Sequence, residues 1–113
     1  MTVNEIIINA LSPFGLSIDP NFDGGGKEEY ITFNYADDTG ECFADDAPTC
    51  VVAYMQIHYF LPIEKNYLQK KKELRNALFD AGFTYPEVTV LTEGKTRHII
   101  FECEIENEDE MEE

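Results

Sequence analysis

The run Cys50-Val51-Val52-Ala53-Tyr54-Met55-Gln56-Ile57-His58-Tyr59-Phe60-Leu61-Pro62 constrains this chain more than any other feature. It alternates with period two, the side-chain period of a β-strand. Val51, Ala53, Met55, Ile57 and Tyr59 fall on one face and are apolar. Val52, Tyr54, Gln56, His58 and Phe60 fall on the other, which is mixed. The pattern predicts a central strand over 50–60 with one face on a core and a second face only partly covered, as contact with another subunit would cover it. Pro62 stops the strand, because it has no N–H for the ladder.

A Lys-rich helix follows over 64–81. Tyr67, Leu74, Leu78 and Ala81 recur at helical spacing with Lys71 in the same stripe, while Lys70, Lys72, Glu73, Arg75 and Asp80 face out. Gly82 is placed to terminate it. Upstream, residues 2–11 predict a short helix capped by Thr2, with Glu5 three residues on and Val3, Ile6, Ile7 and Ala10 on one side. Pro13 and Gly15 end that helix, and Ser17–Lys27 reads as irregular. Tyr30–Tyr35 alternates as a strand with Ile31, Phe33 and Tyr35 on one face. Asp37-Asp38-Thr39-Gly40 reads as a turn, 41–44 as a short partner strand and Asp45-Asp46-Ala47-Pro48 as a second turn. Downstream, 87–91 and 97–105 read as strands joined by a hairpin loop at Thr92-Glu93-Gly94-Lys95. The expected fold is α+β, in the order α-β-β-β-α-β-β. It has a mainly antiparallel sheet of four or five strands, one long helix packed on a face and a short N-terminal helix. Residues 1–105 form the single domain and 106–113 a disordered acidic tail.

Charge and cysteine usage narrow the function classes. The chain holds 23 acidic and 8 basic residues, a net charge of −15, whereas a nucleic-acid binder shows a basic face. Eight of the carboxylates lie in residues 102–113, which contain no Lys or Arg. No apolar run is long enough to span a membrane, and Ile6-Ile7-Ile8 is too short and unflanked for a signal peptide. Cys42, Cys50 and Cys103 form no CxxC pair, which fits a soluble intracellular protein with reduced thiols.

No constellation carries chemistry by its spacing. Asp23-Gly24-Gly25-Gly26-Lys27 lacks the GxxxxGK[ST] pattern between strand and helix, so it reads as a loop and not as a phosphate cradle. Asp37, Asp38, Glu41, Asp45 and Asp46 offer oxygen ligands without the spacing of a calcium loop. His58 and His98 sit mid-strand. Either could join Cys103 or a carboxylate at a metal, serve in proton transfer, or simply face solvent or an interface; Cys50 or Cys103 could also pair with His58 as a nucleophile. The residues point to no catalytic, cofactor or metal site. Lys65, Lys70, Lys71, Lys72 and Arg75 form the one basic cluster, which suits a protein partner or an ordinary solvated helix face.

Taken together, four features resemble the small tail-completion or tail-terminator proteins of long-tailed bacteriophages and prophages. They are the opening helix, Gly-rich loop and Glu29–Tyr35; the strand Tyr54–Phe60; the Lys-rich helix closing on Ala77-Leu78-Phe79-Asp80-Ala81-Gly82-Phe83; and the final strands with Arg97-His98-Ile99-Ile100-Phe101-Glu102. The resemblance covers residues 1 to about 105 and rests on order and length. It implies a non-enzymatic α+β subunit that self-associates into a ring, usually a hexamer. The ring caps the tail tube and joins it to head-connector proteins, first in the host cytoplasm and then in the virion tail. It implies no nucleic-acid contact, no membrane and no cofactor. The alternative drawn from the charge is an acidic protein-binding module, such as a phage DNA mimic that inhibits a DNA-binding protein.

Overall fold

Thr2 opens the fold. Its hydroxyl accepts from Glu5 N–H at 3.2 Å while Glu5 Oε1 accepts from Thr2 N–H at 3.4 Å, the reciprocal cap that the spacing predicts. Helix α1 then runs Val3–Leu11 and buries Val3, Ile7 and Leu11. A short 3-10 turn at Ser12–Phe14 contains Pro13, and Gly15 at φ +72° closes it. These features belong to a computed structural model, which describes residues 2–20, 28–44 and 47–107.

Five strands and a second helix follow: β1 (Ser17–Pro20), β2 (Tyr30–Ala44), β3 (Ala47–Pro62), α2 (Leu68–Asp80), β4 (Glu87–Glu93) and β5 (Thr96–Asn107). They form one mixed sheet in the order β1-β2-β3-β5-β4, parallel only between β1 and β2. The fold is α+β, with the central strand where the alternation of 50–60 puts it. Ala53, Met55, Ile57, Tyr59 and Leu61 are all buried on one face of β3. Ile31 and Phe33 of β2 join them from one side, and Ile99, Phe101, Cys103 and Ile105 of β5 from the other. Leu74 and Leu78 of α2 and the apolar side of α1 complete this core. Both helices therefore lie on the same face of the sheet.

Several expectations are corrected. The segment Ser17–Lys27 is not wholly irregular, because residues 17–20 pair in register with 30–33 as β1. The stretch Asp37–Gly40 is not a turn. Its backbone continues the ladder with β3 from Asp37↔Tyr54 onward, and a bulge at Ala36 absorbs the irregularity. Pairing along a long hairpin overrides local turn chemistry there. Residues 41–44 are the end of the same strand, and Ala47-Pro48 begin β3. The main helix starts at Leu68 and not at 64. After Pro62 the chain turns, with Lys65 N–H donating to Pro62 O at 3.1 Å. Asn66 Oδ1 then accepts from Leu68 N–H at 2.9 Å and sets the start. The C-terminal strand also runs further, so Glu106 and Asn107 belong to β5 and not to a tail. The Asp23–Lys27 loop, Asp45, Asp46 and residues 108–113 lie outside the described residues.

The end of α2 follows its sequence closely. Gly82 takes φ +110°, its N–H donates to Phe79 O, and Phe83 N–H donates to Leu78 O, which is a Schellman closure. Phe83 is buried beneath it. Gly94 at φ +63° lies in the tight connection between β4 and β5.

The buried face also contains one polar tie. Tyr59 is a core residue, and its hydroxyl needs a partner. It donates to Glu29 Oε2 at 2.6 Å, and Lys65 Nζ holds Glu29 Oε1 at 2.9 Å. The approaches to β2 and α2 are thus fastened to the end of the central strand.

Two stability predictions follow from this packing. Leu74→Ala should destabilise the domain by about 2–5 kcal/mol in a urea melt, the range for a buried leucine whose site only partly collapses. Tyr59→Phe should cost about 1.5–3 kcal/mol, since it removes a hydrogen bond to a charged group and leaves a half-sheltered carboxylate short of a donor. A loss under about 1 kcal/mol at Leu74 would place the core on another helix face.

Candidate functional site

With both helices on one side, the even-numbered face of the sheet carries no layer among the described residues. The alternation sends Tyr30, Thr32 and Asn34 of β2 to it, with Tyr54, Gln56, His58 and Phe60 of β3. From β5 come His98, Ile100, Glu102 and Glu104, and from β4 come Leu91, Thr89 and Glu87. All are part-exposed or exposed, in contrast to the sealed odd face. The face therefore carries both histidines, His58 and His98, on part-exposed positions.

A row of rings runs across its centre. Tyr30 and Phe60 stack at 4.8 Å, and Phe60 and His98 at 4.1 Å, with interplanar angles of 18° and 20°. These separations match the spacing between neighbouring strands, about 4.8 Å, so the rings turn their faces to one another and their edges outward. Phe60 is thereby stacked on both of its faces, by Tyr30 and by His98.

The two histidines meet in this row. The register places Phe60 opposite His98 and His58 opposite Ile100, so His58 and His98 are diagonal neighbours. His58 Nδ1 and His98 Nε2 lie 2.7 Å apart, and His58 Nε2 lies 2.9 Å from Asn34 Oδ1. The partners fix the tautomers. Asn34 Nδ2 donates to Tyr35 O, which leaves Oδ1 as the acceptor for His58 Nε2–H. A neutral His58 then has only a lone pair at Nδ1, which accepts from His98 Nε2–H. On the far side His98 Nδ1 lies 3.2 Å from Glu93 Oε1, close enough for a charge pair but out of hydrogen-bond alignment. The line Asn34–His58–His98–Glu93 crosses four strands.

The electrostatics of this line are one-sided. Burial, then the neighbouring charge of His98, hold the His58 imidazole below its ordinary value of 6.5, against a smaller opposite pull from Glu102 and Glu93. At the polar tie on the other face, burial of Glu29 resists ionisation. The hydrogen bonds from Tyr59 and Lys65 and the charges of Lys65 and Lys70 outweigh it and hold the carboxyl below 4.5. Burial first, then the Glu104 charge, push the Cys103 thiol up to about 12, so it stays protonated and inert.

The other predicted residues separate. Cys103 points into the core and does not approach His58 or His98 as a ligand or nucleophile. The side chains of Asp37, Asp38, Glu41, Cys42 and Cys50 lie outside what is described. Among the described residues no three His, Cys, Asp or Glu side chains gather where a metal ion would sit. The basic cluster is dispersed around α2. Lys65 pairs with Glu29, Lys70 lies over the Phe14 ring at 5.4 Å, and Lys71 over Tyr67 at 5.7 Å. Arg75 lies over Tyr85 at 4.2 Å and donates from Nε to Pro86 O. Among the described residues no helix is long and apolar enough to cross a membrane.

One feature of the face was not readable from spacing. Beside β5 a cavity of about 380 Å³ is lined by Tyr54, Tyr85, Glu87, Glu102 and Glu104, with Ala36 at the bulge. Glu87 and Glu102 are direct cross-strand partners, two like charges side by side. The only available signal was the even-numbered parity of the β5 glutamates.

No protein-family model matches this chain, and no curated protein matches it in sequence.

The histidine pair generates a pH prediction. A His whose folded pKa lies below its unfolded value binds its proton more readily when unfolded. Stability should therefore be complete above pH 6.5 and fall as pH drops through the lowered folded value. His58→Gln should flatten that limb in urea melts across pH. The separate loss below 4.5, where Glu29 takes up its proton, should remain. An unchanged limb in His58→Gln would assign it to other groups.

Proposed function

We propose that this chain is a structural assembly subunit, one of a closed ring of identical copies that completes the tail of a long-tailed bacteriophage and joins it to the head. One observation supports the reading above the others: among the described residues the helices cover a single face of the sheet, and no element covers the opposite face, which presents aromatic, apolar and acidic side chains. A ring of identical subunits requires two unlike surfaces that meet head to tail. A helix layer on one side and a bare sheet on the other supply unlike surfaces. The β2–β3 hairpin adds a second kind of contact. Its strands stay paired to Ala44↔Ala47, and among the described residues this far end is a ribbon of two strands, since the described pairing with β1 ends at Phe33 and that with β5 at Val51. A ribbon of two strands is marginal in water by itself and gains from a neighbour.

In this reading the ring has six copies, its neighbours are tail-tube and head-connector proteins, and it assembles in the host cytoplasm before residing in the virion tail. The role needs no catalytic group, cofactor or metal. A second reading, an acidic protein-binding module such as a phage DNA mimic, draws on a different observation. Glu102, Glu104 and Glu106 alternate along one face of β5 with Glu87 beside them, which puts carboxylates on a folded surface.

The test is deletion of the gene in a phage or prophage that carries it. Tails of abnormal length, or tails that fail to join heads, are expected. Normal infectious particles would overturn the assembly reading and favour the acidic module.

A further inference from the structure

The cavity beside β5 and the outer side of α2 have complementary chemistry, and the match between them can be followed residue by residue. The cavity brings together Glu87, Glu102 and Glu104 with Tyr54 and Tyr85, and the Tyr85 ring already lies under Arg75. None of the three carboxylates has a cationic partner among the described residues, and Glu87 faces Glu102 directly across the strand pair. Like charges in that position repel unless a cation comes between them. A carboxylate group beside aromatic rings is a site for an ammonium or guanidinium head.

Helix α2 carries four cations in six residues, from Lys70 to Arg75. Three of them already lie over aromatic rings of this chain, at Phe14, Tyr67 and Tyr85. The fourth, Lys72, is exposed and has no partner among the described residues. One turn before it stands Leu68, 57% exposed on the same helix face.

We propose that Lys72 of one copy enters the Glu87–Glu102–Glu104 cavity of the next, so that α2 of each subunit lies on the bare sheet face of its neighbour. The spacing agrees. Four residues of helix rise about 6 Å, and two residues of strand advance about 6.6 Å. With Lys72 between Glu87 and Glu102, Leu68 comes over Thr89 and Ile100, the next cross-strand pair on that face. An exposed leucine is thereby placed on the part-buried Ile100. The contact joins two different surfaces, and it continues from copy to copy. This inference rests on the ring reading and names the surfaces that would form its interface.

The experiment is zero-length carbodiimide cross-linking of an equal mixture of unlabelled and nitrogen-15-labelled protein, read by peptide mass spectrometry. Mixed-isotope pairs joining Lys72 to Glu87, Glu102 or Glu104 are expected. The single reversals Lys72→Glu and Glu102→Lys should each remove most of this product. The double variant should restore it in reversed sense, with residue 102 as the amine. Both positions are exposed, so unchanged circular dichroism will show that the variants fold. Mixed-isotope links that map to other surfaces, or no mixed-isotope links at all, would overturn this contact. Links elsewhere combined with a tail defect on gene deletion would leave the ring reading standing. The expected links combined with normal particles after deletion would overturn the ring and keep the contact between copies. Links from Lys72 only to carboxylates of its own copy would also overturn the proposal.

Discussion

Everything in this fold depends on the parity of β3. It is the middle strand of five, paired along β2 on one edge and along β5 on the other, so no slip of one residue is open to it. A slip would carry Ala53, Met55, Ile57, Tyr59 and Leu61 out of the core and bring Gln56 and His58 in. Met55, Ile57 and Leu61 alone, each worth about 1.5–3 kcal/mol when fully buried, stand against that exchange. The helices follow the same decision. Leu74 and Leu78 of α2, and Val3, Ile7 and Leu11 of α1, have only one apolar face of the sheet on which to pack. Both layers are thus assigned to one side, and the bare face is a consequence of the strand's alternation.

The bare face is made tolerable in water by partners within itself. Tyr30, Phe60 and His98 turn their faces to each other, so the apolar area they show to solvent is mainly ring edge. His58 and His98 supply each other's hydrogen bond, and Asn34 completes His58. A polar line of this kind in a half-buried setting is strong when every member is satisfied. The weak point is His98 Nδ1, which faces Glu93 at 3.2 Å without alignment. The line is therefore satisfied at its β2 end, where burial and the His98 charge also hold His58 below its ordinary value, and unaligned at its β4 end.

Features set by local chemistry were legible in the sequence, and those set by register were not. The Thr2–Glu5 cap, the Gly82 closure and the core parity of β3 each depend on residues close in the chain, and each appears as read. The start of α2 falls later than the sequence pattern suggests because Asn66 Oδ1 accepts from Leu68 N–H in a local turn, although Asn66 reads as one more polar residue in a polar run. The extension of β2 through Asp37–Gly40 is decided by the partner strand, and no local residue announces it. The histidine pair was hidden for the same reason. His58 and His98 are 40 residues apart, and they meet only because Phe60 falls opposite His98. Parity puts both on the even face, but nothing in the sequence fixes the register between β3 and β5, which are separated by α2 and β4.

The acidic end of the chain changes meaning once β5 is drawn to its full length. As a linear sequence, residues 102–113 simply concentrate eight carboxylates, and 106–113 read as a tail. In the sheet, Phe101, Cys103 and Ile105 go to the core, and Glu102, Glu104 and Glu106 go to the opposite face. Strand alternation thus sorts three of those carboxylates onto one surface, where Glu87 joins them from β4. These neighbours lie within the screening length of about 8–10 Å in physiological salt, so their mutual repulsion is only partly relieved. The charge that matters for recognition is therefore not the total of −15 but the part that parity fixes beside Tyr54 and Tyr85. On the helix layer the opposite sign is concentrated between Lys70 and Arg75. The strand period gathers its carboxylates on one face, while the helix spreads its cations around its circumference and lays three of them over rings of this chain.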